Sequence, residues 1–354
     1  MGRKRVTIKE VAGAAGVSTQ TVSRVVNDHP DVAAKTRKHV QAVIKELGYQ
    51  PSKIARSLIQ GQSCSLGVVS YGLGSFFGPS LVLQGIQKAA VQAGYSLMLT
   101  VLHDPEVYDA ENVLREILSY HVDGILWAVP EIGQNQDWIQ QAVHGLAVPI
   151  VFLNVQPRPN LVTVVMDNKL GGRIATQHLV DQGRQHIGII TGPMDWREAR
   201  QRELGWRAAL TENDRVVDES YIANGDWSPS SGERSIRLLL EWHPELDAVF
   251  ACNDQMALGA MKVAQKMGRQ IPQDLIIVGY DNIPESPYFS PALSTVSQDV
   301  AELGHQGVQQ LLALISNGDD APIPPVVLQP ELIVRESSVD ITHVASNAVS
   351  ALLG

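Results

Sequence analysis

Seven short runs in this chain, 66–69, 97–101, 124–129, 150–153, 187–191, 248–252 and 275–278, are almost wholly apolar. A strand with one wet face alternates apolar and polar side chains, whereas a strand that is apolar throughout has to be covered on both faces. Stretches of helical periodicity separate these runs, and short two-sided strands joined through helices pair in parallel. The expected class is therefore α/β, with doubly wound parallel sheets. At 354 residues the chain exceeds what one core supports, so two such lobes are expected. A ligand crevice is expected beyond the carboxyl ends of the strands.

The first sixty residues contain no such run and carry the opposite charge from the rest. Residues 1–62 hold eleven Lys/Arg against four Asp/Glu, a balance of +7 within a chain whose net charge is -9, which leaves -16 on the remainder. A cationic head on an anionic body can hold phosphates while the body stays off nucleic acid. Hydrophobic residues at 44% and charged residues at 18% exclude disordered and fibrous classes. Cys64 and Cys252 are too few and too far apart for a disulfide framework or a metal-binding spacing, so no metal and no cofactor are expected. The polar stretch Thr7 to Glu10 stands where a signal peptide would need an apolar run, and no 18-residue apolar window occurs. A cytoplasmic protein without a membrane partner is expected.

Within the head, Thr7-Ile8-Lys9-Glu10 is a capping box that starts a helix at Ile8, with Val11, Ala12 and Ala15 facing inward. Gly16 supplies a turn and Ser18 caps a second helix over 19–26, with Val22, Val25 and Val26 inside. A third helix over about 34–47 closes the core with Val40, Val43, Ile44 and Leu47 and stops at Gly48. Two short helices about a tight turn form a helix-turn-helix. Its outward residues Thr19, Gln20, Ser23 and Arg24 can enter the major groove, where Gln suits adenine edges and Arg suits guanine. On these residues alone, a basic helical hairpin that reads no DNA fits equally well.

Val6-Thr7-Ile8-Lys9-Glu10-Val11-Ala12, Gly16-Val17-Ser18, Thr21-Val22-Ser23-Arg24-Val25-Val26-Asn27 and Gly48-Tyr49-Gln50-Pro51 resemble the DNA-binding head of the lactose repressor (LacI/GalR) family. The resemblance implies DNA contacts at Thr7, Ser18, Thr19, Gln20, Thr21, Ser23, Arg24, Asn27, Lys35, Thr36 and Tyr49. It further implies a hinge helix over 52–58, in which Ala55 and Leu58 lie in the minor groove and Leu58 wedges between base pairs. A plain polar linker is the other reading of that segment. Ala33 departs from a capping Ser, so the third helix should start less firmly, and Thr19 departs from the Tyr of the family's namesake.

The body offers no catalytic motif, so no enzymatic activity is expected. Gly72-Leu73-Gly74 follows a strand as a dinucleotide fingerprint would, but Phe77 takes the third glycine's place. What the body does carry suits a polyol. Asn253 and Asp281 follow strands and can bond vicinal hydroxyls, Trp227 can wall the C–H face of a sugar, and Arg200 offers a fork of donors. Taken singly, Asn253 and Asp281 could be caps or turn formers, Trp227 a core residue and Arg200 a surface ion-pair partner.

Around these stand further words of the same family: Gly192-Pro193, Ala199-Arg200, Gly205-Trp206, Gly225-Asp226-Trp227-Ser228, Asn253 to Met261, Val278-Gly279-Tyr280-Asp281 and Gln298-Asp299. The resemblance implies a periplasmic-binding-protein-like core of two lobes, crossed three times by the chain. It places effector contacts at Ser75, Pro79, Asn154, Met166, Trp196, Arg200, Trp227, Asn253, Asp281 and Gln298. Asn154 replaces an Asp, Ala128 an Asn, Trp196 a Ser and Val300 a Phe, changes that bear on which sugar is recognised. The implied organisation is a head over 1–50, hinge and linker over 51–62, and a core over 63–340. Within the core, 63–165 and 299–326 form one lobe, and 166–298 and 327–340 the other. The tail over 341–354 lacks sustained heptads, which implies a homodimer. The implied function is repression at double-stranded, pseudo-palindromic operator DNA, relieved by a mono- or disaccharide such as a β-galactoside. Family members that use a purine as corepressor are the near alternative. A sugar-transport receptor, which has no use for a cationic head, and an NAD-linked enzyme are remote ones.

Overall fold

The computed structural model describes residues 6–50, 62–104, 109–135, 137–139, 145–317 and 324–339. Two compact units divide the chain, Met1–Cys64 and Ser65–Gly354.

The first unit packs α1 (Ile8–Ala15), α2 (Thr19–Val26) and α3 (Ala34–Leu47). The capping box forms as expected: Glu10 N–H donates to Thr7 Oγ1 at 3.3 Å, and Thr7 N–H donates to the Glu10 carboxylate at 2.7 Å. Ser18 Oγ accepts from Thr21 N–H at 3.1 Å. Ala33 provides no side-chain cap for α3. Val11, Ala12, Ala15, Val22, Val25, Val40 and Val43 form the core. Leu47 does not join it and is 36% exposed. The left-handed turn at Gly48 brings Tyr49 N–H to Ile44 O at 3.0 Å and lays the Tyr49 ring on the cluster, so Tyr49 covers the end of the core that Leu47 was expected to close.

The second unit holds two six-stranded sheets. The first comprises β1 (Ser65–Tyr71), β2 (Ser96–Leu102), β3 (Gly124–Ala128), β4 (Ile150–Leu153), β5 (Val162–Met166) and β11 (Val326–Leu328), in the order β11-β5-β4-β3-β1-β2. With it go α4 (Phe77–Gln92), α5 (Ala110–Ser119) and α10 (Val300–Asn317). The second sheet comprises β6 (Ile187–Thr191), β7 (Ile222–Asn224), β8 (Ala248–Ala251), β9 (Ile276–Asp281), β10 (Ser294–Ser297) and β12 (Glu331–Ile333), in the order β12-β10-β9-β8-β6-β7. Its helices are α6 (Asn168–Asp181), α7 (Arg197–Glu212), α8 (Pro229–Trp242) and α9 (Asp254–Lys266). Every pairing is parallel except β10 with β12.

Three segments pass between the sheets: β5 into α6, β10 into α10, and β11 into β12. The last passage follows Leu328, because Val326 to Leu328 pair with β5 and Asp167 N–H donates to Leu328 O at 2.9 Å. It thus falls later than the boundary at 326/327 expected from the sequence. A second difference concerns β2. Its apolar run implied cover on both faces, yet it is the edge strand of its sheet, with Leu99 40% and Val101 39% exposed.

Trp127 and Phe152 anchor the core of the first lobe; Trp206, Phe250 and Tyr280 anchor that of the second. Each such ring contributes roughly 2–3 kcal/mol on burial. In the second lobe α6 and α7 cross closely at Gly205, where an added Cβ would stand 2.2 Å from Lys169 O. That crossing fixes the face of α7 that looks into the crevice.

Candidate functional site

The carboxyl ends of the strands of both sheets meet around a cleft of about 340 Å³. Its first-lobe wall carries Ser70, Ser75, Phe76, Phe77, Pro79, Ala128, Leu153 and Asn154, with Val300 and Leu303 from α10. Trp196, Glu198, Arg202, Asp226, Trp227, Asn253, Asp281 and Gln298 come from the second lobe and its crossing. This is where a doubly wound fold leaves its ligand crevice.

Asn253 follows β8 and caps α9, its Oδ1 accepting from Met256 N–H at 2.8 Å. The cap reading and the cleft reading therefore both hold. The opposite end of the same amide donates to Trp227 O at 2.9 Å and to Gln255 Oε1 at 2.8 Å. Trp227 lays its ring on Gly192, where a Cβ would lie 2.2 Å from the indole. Its buried Nε1 has no hydrogen-bond partner. Asp281, at the end of β9, accepts from Gln298 Nε2 at 2.7 Å. Asn154 accepts from Met166 N–H at 3.1 Å. Asn154 (φ 56), Trp227 (φ 70) and Asp281 (φ 108) all have left-handed backbone, which non-glycine residues adopt only where the surroundings hold them.

Eight of the ten residues expected at the effector site line this cleft: Ser75, Pro79, Asn154, Trp196, Trp227, Asn253, Asp281 and Gln298. Met166 is buried behind the wall and holds Asn154 through its backbone. Arg200 is the larger departure, for its Nη1 donates to Met194 O at 2.9 Å and to Asp195 O at 2.7 Å, outside the lining.

Arg202 occupies the cleft instead. It donates through Nε to Asn168 Oδ1 at 2.8 Å and through Nη1 to Cys252 O, stands 3.8 Å from Asp281 Oδ1, and lies 3.7 Å over the Tyr280 ring. The signal for it was present in helical periodicity. Ala199, Arg202, Gly205, Trp206 and Ala209 recur at three- and four-residue spacing on the face of α7 that turns inward, and position 200 does not fall on that face. Glu198 shares the inward face and was likewise missed; its Oε2 is buried without a partner.

Burial pushes the Asp281 carboxyl up to about 7, against the pull of Arg202. Burial also raises Glu198, against the pull of Arg197 and Arg202. Behind the cleft, burial raises Asp254 to about 6, while Ser286, Thr295 and Ile283 N–H donate to it. The cleft wall therefore presents aromatic rings with the polar groups of Asn253, Asp281 and Gln298 among them. Such groups bond the hydroxyls of a neutral ligand and shelter its apolar face. Among the described residues, no group of three or more His, Cys, Asp or Glu is placed to hold a metal ion. No helix there is long and apolar enough to cross a membrane.

In the head, Thr19, Gln20 and Arg24 of α2 are exposed, as is Lys35, while Ser23, Thr36 and Tyr49 are half-buried. Asn27 is also exposed and donates to Ser23 Oγ at 3.4 Å. The side chains of Thr7 and Ser18 serve as helix caps, and Thr21 Oγ1 shares a hydrogen bond with Ser18 Oγ at 2.9 Å. Ala55 and Leu58 lie outside the described residues, as do the hinge helix and the 341–354 tail.

Residues 7–52 match the family described as "Bacterial regulatory proteins, lacI family", and residues 176–338 match "Periplasmic binding protein-like domain". The transcriptional repressor PurR of Haemophilus influenzae (strain PittEE) is 35% identical over 336 residues, which are 94% of this chain and 98% of PurR. The crystal structure of the Lac repressor dimer bound to operator and the anti-inducer ONPF superposes with a TM-score of 0.85 at 32% identity, covering 95% of this chain and 100% of the repressor. The transcriptional regulator CelR in complex with cellobiose gives a TM-score of 0.70 at 31% identity, covering 94% and 100%. These relatives are regulators rather than enzymes. A helix-turn-helix head, a two-lobed cleft at the strand ends and full-length likeness together place this chain in the lacI family of bacterial regulatory proteins, as a DNA-binding transcriptional repressor.

Proposed function

We propose that this repressor grips a pseudo-palindromic operator as a homodimer and lets go when a neutral saccharide fills the cleft. The observation that carries the saccharide is Trp227, an indole in the cleft wall that shares the lining with the polar groups of Asp281, Asn253 and Gln298. A pyranose presents the complement, one C–H face and a rim of hydroxyls. The CelR–cellobiose complex supports a sugar and the operator-bound Lac repressor dimer supports DNA and pairing, each by likeness. Two heads read two half-sites at the spacing the body dimer sets. In this reading α2 enters the major groove with Thr19, Gln20, Ser23 and Arg24. Ligand shifts DNA affinity only by binding one lobe arrangement better than the other.

The family resemblance supplies a second reading, that of members with a purine corepressor, in which a purine fills the cleft and tightens DNA binding. A thermal-shift panel of saccharides, hypoxanthine and guanine, followed by operator anisotropy with each hit, separates the two, because a ligand of the native state raises Tm. Stabilisation by a saccharide together with weaker operator binding supports the proposal. Stabilisation by a purine base alone overturns it.

A further inference from the structure

Four aromatic rings form a row from one lobe to the other, and three of them, Phe76, Trp196 and Trp227, line the cleft. Tyr71 and Phe76 of the first lobe lie 6.1 Å apart, Phe76 meets Trp196 of the second at 5.1 Å, and Trp196 meets Trp227 at 5.9 Å. The two indoles stand at 73° to each other, so their faces cannot both be covered by one planar ring.

Their surroundings also differ. Near Trp227 the groups are polar: Asn253 donates to its carbonyl, and the Arg202 guanidinium lies 5.5 Å from its ring. Trp196 has Phe76 and Tyr71 as its other ring neighbours, and Phe77 and Pro79 line the same cleft. One part of the cleft suits a ring that is rich in hydroxyls; the other suits a second ring held by stacking.

Trp196 is fixed in place by its backbone. It pairs with Ile132 of the first lobe in an antiparallel bridge, flanked by Gly133 N–H to Asp195 O and Arg197 N–H to Glu131 O, both at 3.0 Å. The Glu131 carboxylate pairs with Arg197 at 3.4 Å and with Arg158 at 2.6 Å, and accepts from Gln156 N–H at 2.9 Å. An indole mounted in this way is a preformed wall rather than a side chain that has to be ordered on binding. A volume of about 340 Å³ lies within the range for drug-sized ligands, larger than a single six-membered ring requires.

We infer that the effector has two rings, a disaccharide or a glycoside with a cyclic aglycone, and that Trp196 is the specificity-determining residue for the second ring. This rests on the saccharide reading above.

The test is calorimetric titration of the full-length protein with matched pairs: galactose and lactose, glucose and cellobiose, methyl and phenyl β-galactoside. The wild type should bind a two-ring member about tenfold more tightly than its one-ring mate. Trp196→Ala should reduce that ratio to about threefold or less, the two-ring ligand losing more affinity than its one-ring mate. Trp196→Phe, which keeps a ring on the same backbone, should retain most of the preference and serves if the alanine variant unfolds. Equal weakening of one-ring and two-ring ligands by Trp196→Ala would make Trp196 a tie between lobes and overturn the inference. A wild type that binds monosaccharides as tightly as their two-ring mates overturns it too, and leaves the saccharide reading standing. Failure of every sugar in the panel to bind wild type overturns both.

Discussion

Gln298 donates its side-chain amide to Asp281 Oδ1 at 2.7 Å, linking the end of β9 to the point where the chain leaves the second lobe for α10 of the first. A ligand hydroxyl that takes over the Asp281 carboxyl therefore acts on a hydrogen bond at a crossing between lobes. Replacing Asp281 with Ala should weaken effector binding by about tenfold to a hundredfold, since leaving a buried hydrogen-bonding group without its partner costs ~1–3 kcal/mol. Operator affinity without effector should stay within about threefold. Titration calorimetry and operator anisotropy on the same variant read the two effects, and unchanged effector affinity would remove Asp281 from the binding surface.

The same carboxyl gives a pH signature. Asp281 is raised from 3.8 to about 7 by burial, with Arg202 opposing and Asp254 reinforcing the shift. Its native form holds a proton that the unfolded form has lost, so it removes stability as pH rises from about 4 to about 7 and adds no further change above that. In D281N this loss is absent. The Tm of D281N minus that of wild type should grow between pH 4.5 and 7.5, corresponding to a few kcal/mol at most. A difference that is flat with pH, measured by differential scanning calorimetry, would count against a protonated Asp281.

Arg24 is exposed in the last turn of α2. If it reads a base, Arg24→Ala should cost ~1–3 kcal/mol at the operator and much less on scrambled duplex. Fluorescence anisotropy at fixed salt measures both, and equal losses would assign Arg24 to the phosphates.

Helix α3 starts at Ala33 without a side-chain cap. Ala33→Ser should stabilise the head by about 0.5–1 kcal/mol, the usual gain from an N-cap hydroxyl. Urea unfolding followed by circular dichroism would show the head transition moving to higher denaturant, with its slope unchanged.

Gly205 leaves no room for a side chain, because its Cβ would stand 2.2 Å from Lys169 O and 2.5 Å from Arg173 N. Gly205→Ala should destabilise the second lobe by roughly 1–3 kcal/mol through overpacking. It should also weaken effector binding, since α7 carries Glu198 and Arg202 into the cleft. Thermal unfolding together with ligand titration checks both consequences.

The all-apolar runs at β3, β4, β6, β8 and β9 announced a doubly wound body because each is covered on both faces. Other strands escaped notice for physical reasons. The β5 run Val-Thr-Val-Val-Met has a polar member, β10 is Ser-Thr-Val-Ser, and β7, β11 and β12 are three residues each, too short for periodicity to register. In the head, capping boxes and glycine stops are local chemistry, so helix limits could be read directly from Thr7, Ser18 and Gly48. The cleft was legible mainly through family words, and words fix a neighbourhood rather than a side chain. That is why Arg200 was singled out where the fold presents Arg202. Which buried atoms lack partners, such as Trp227 Nε1 and Glu198 Oε2, depends on three-dimensional packing and leaves no trace in one dimension.

The pairing of Ile132 with Trp196 is made by main-chain atoms. Any residue but proline can supply those groups, so the residues on either side of the seam can change identity while the seam itself persists. A binding surface mounted on such a frame can be retuned to new ligands one side chain at a time.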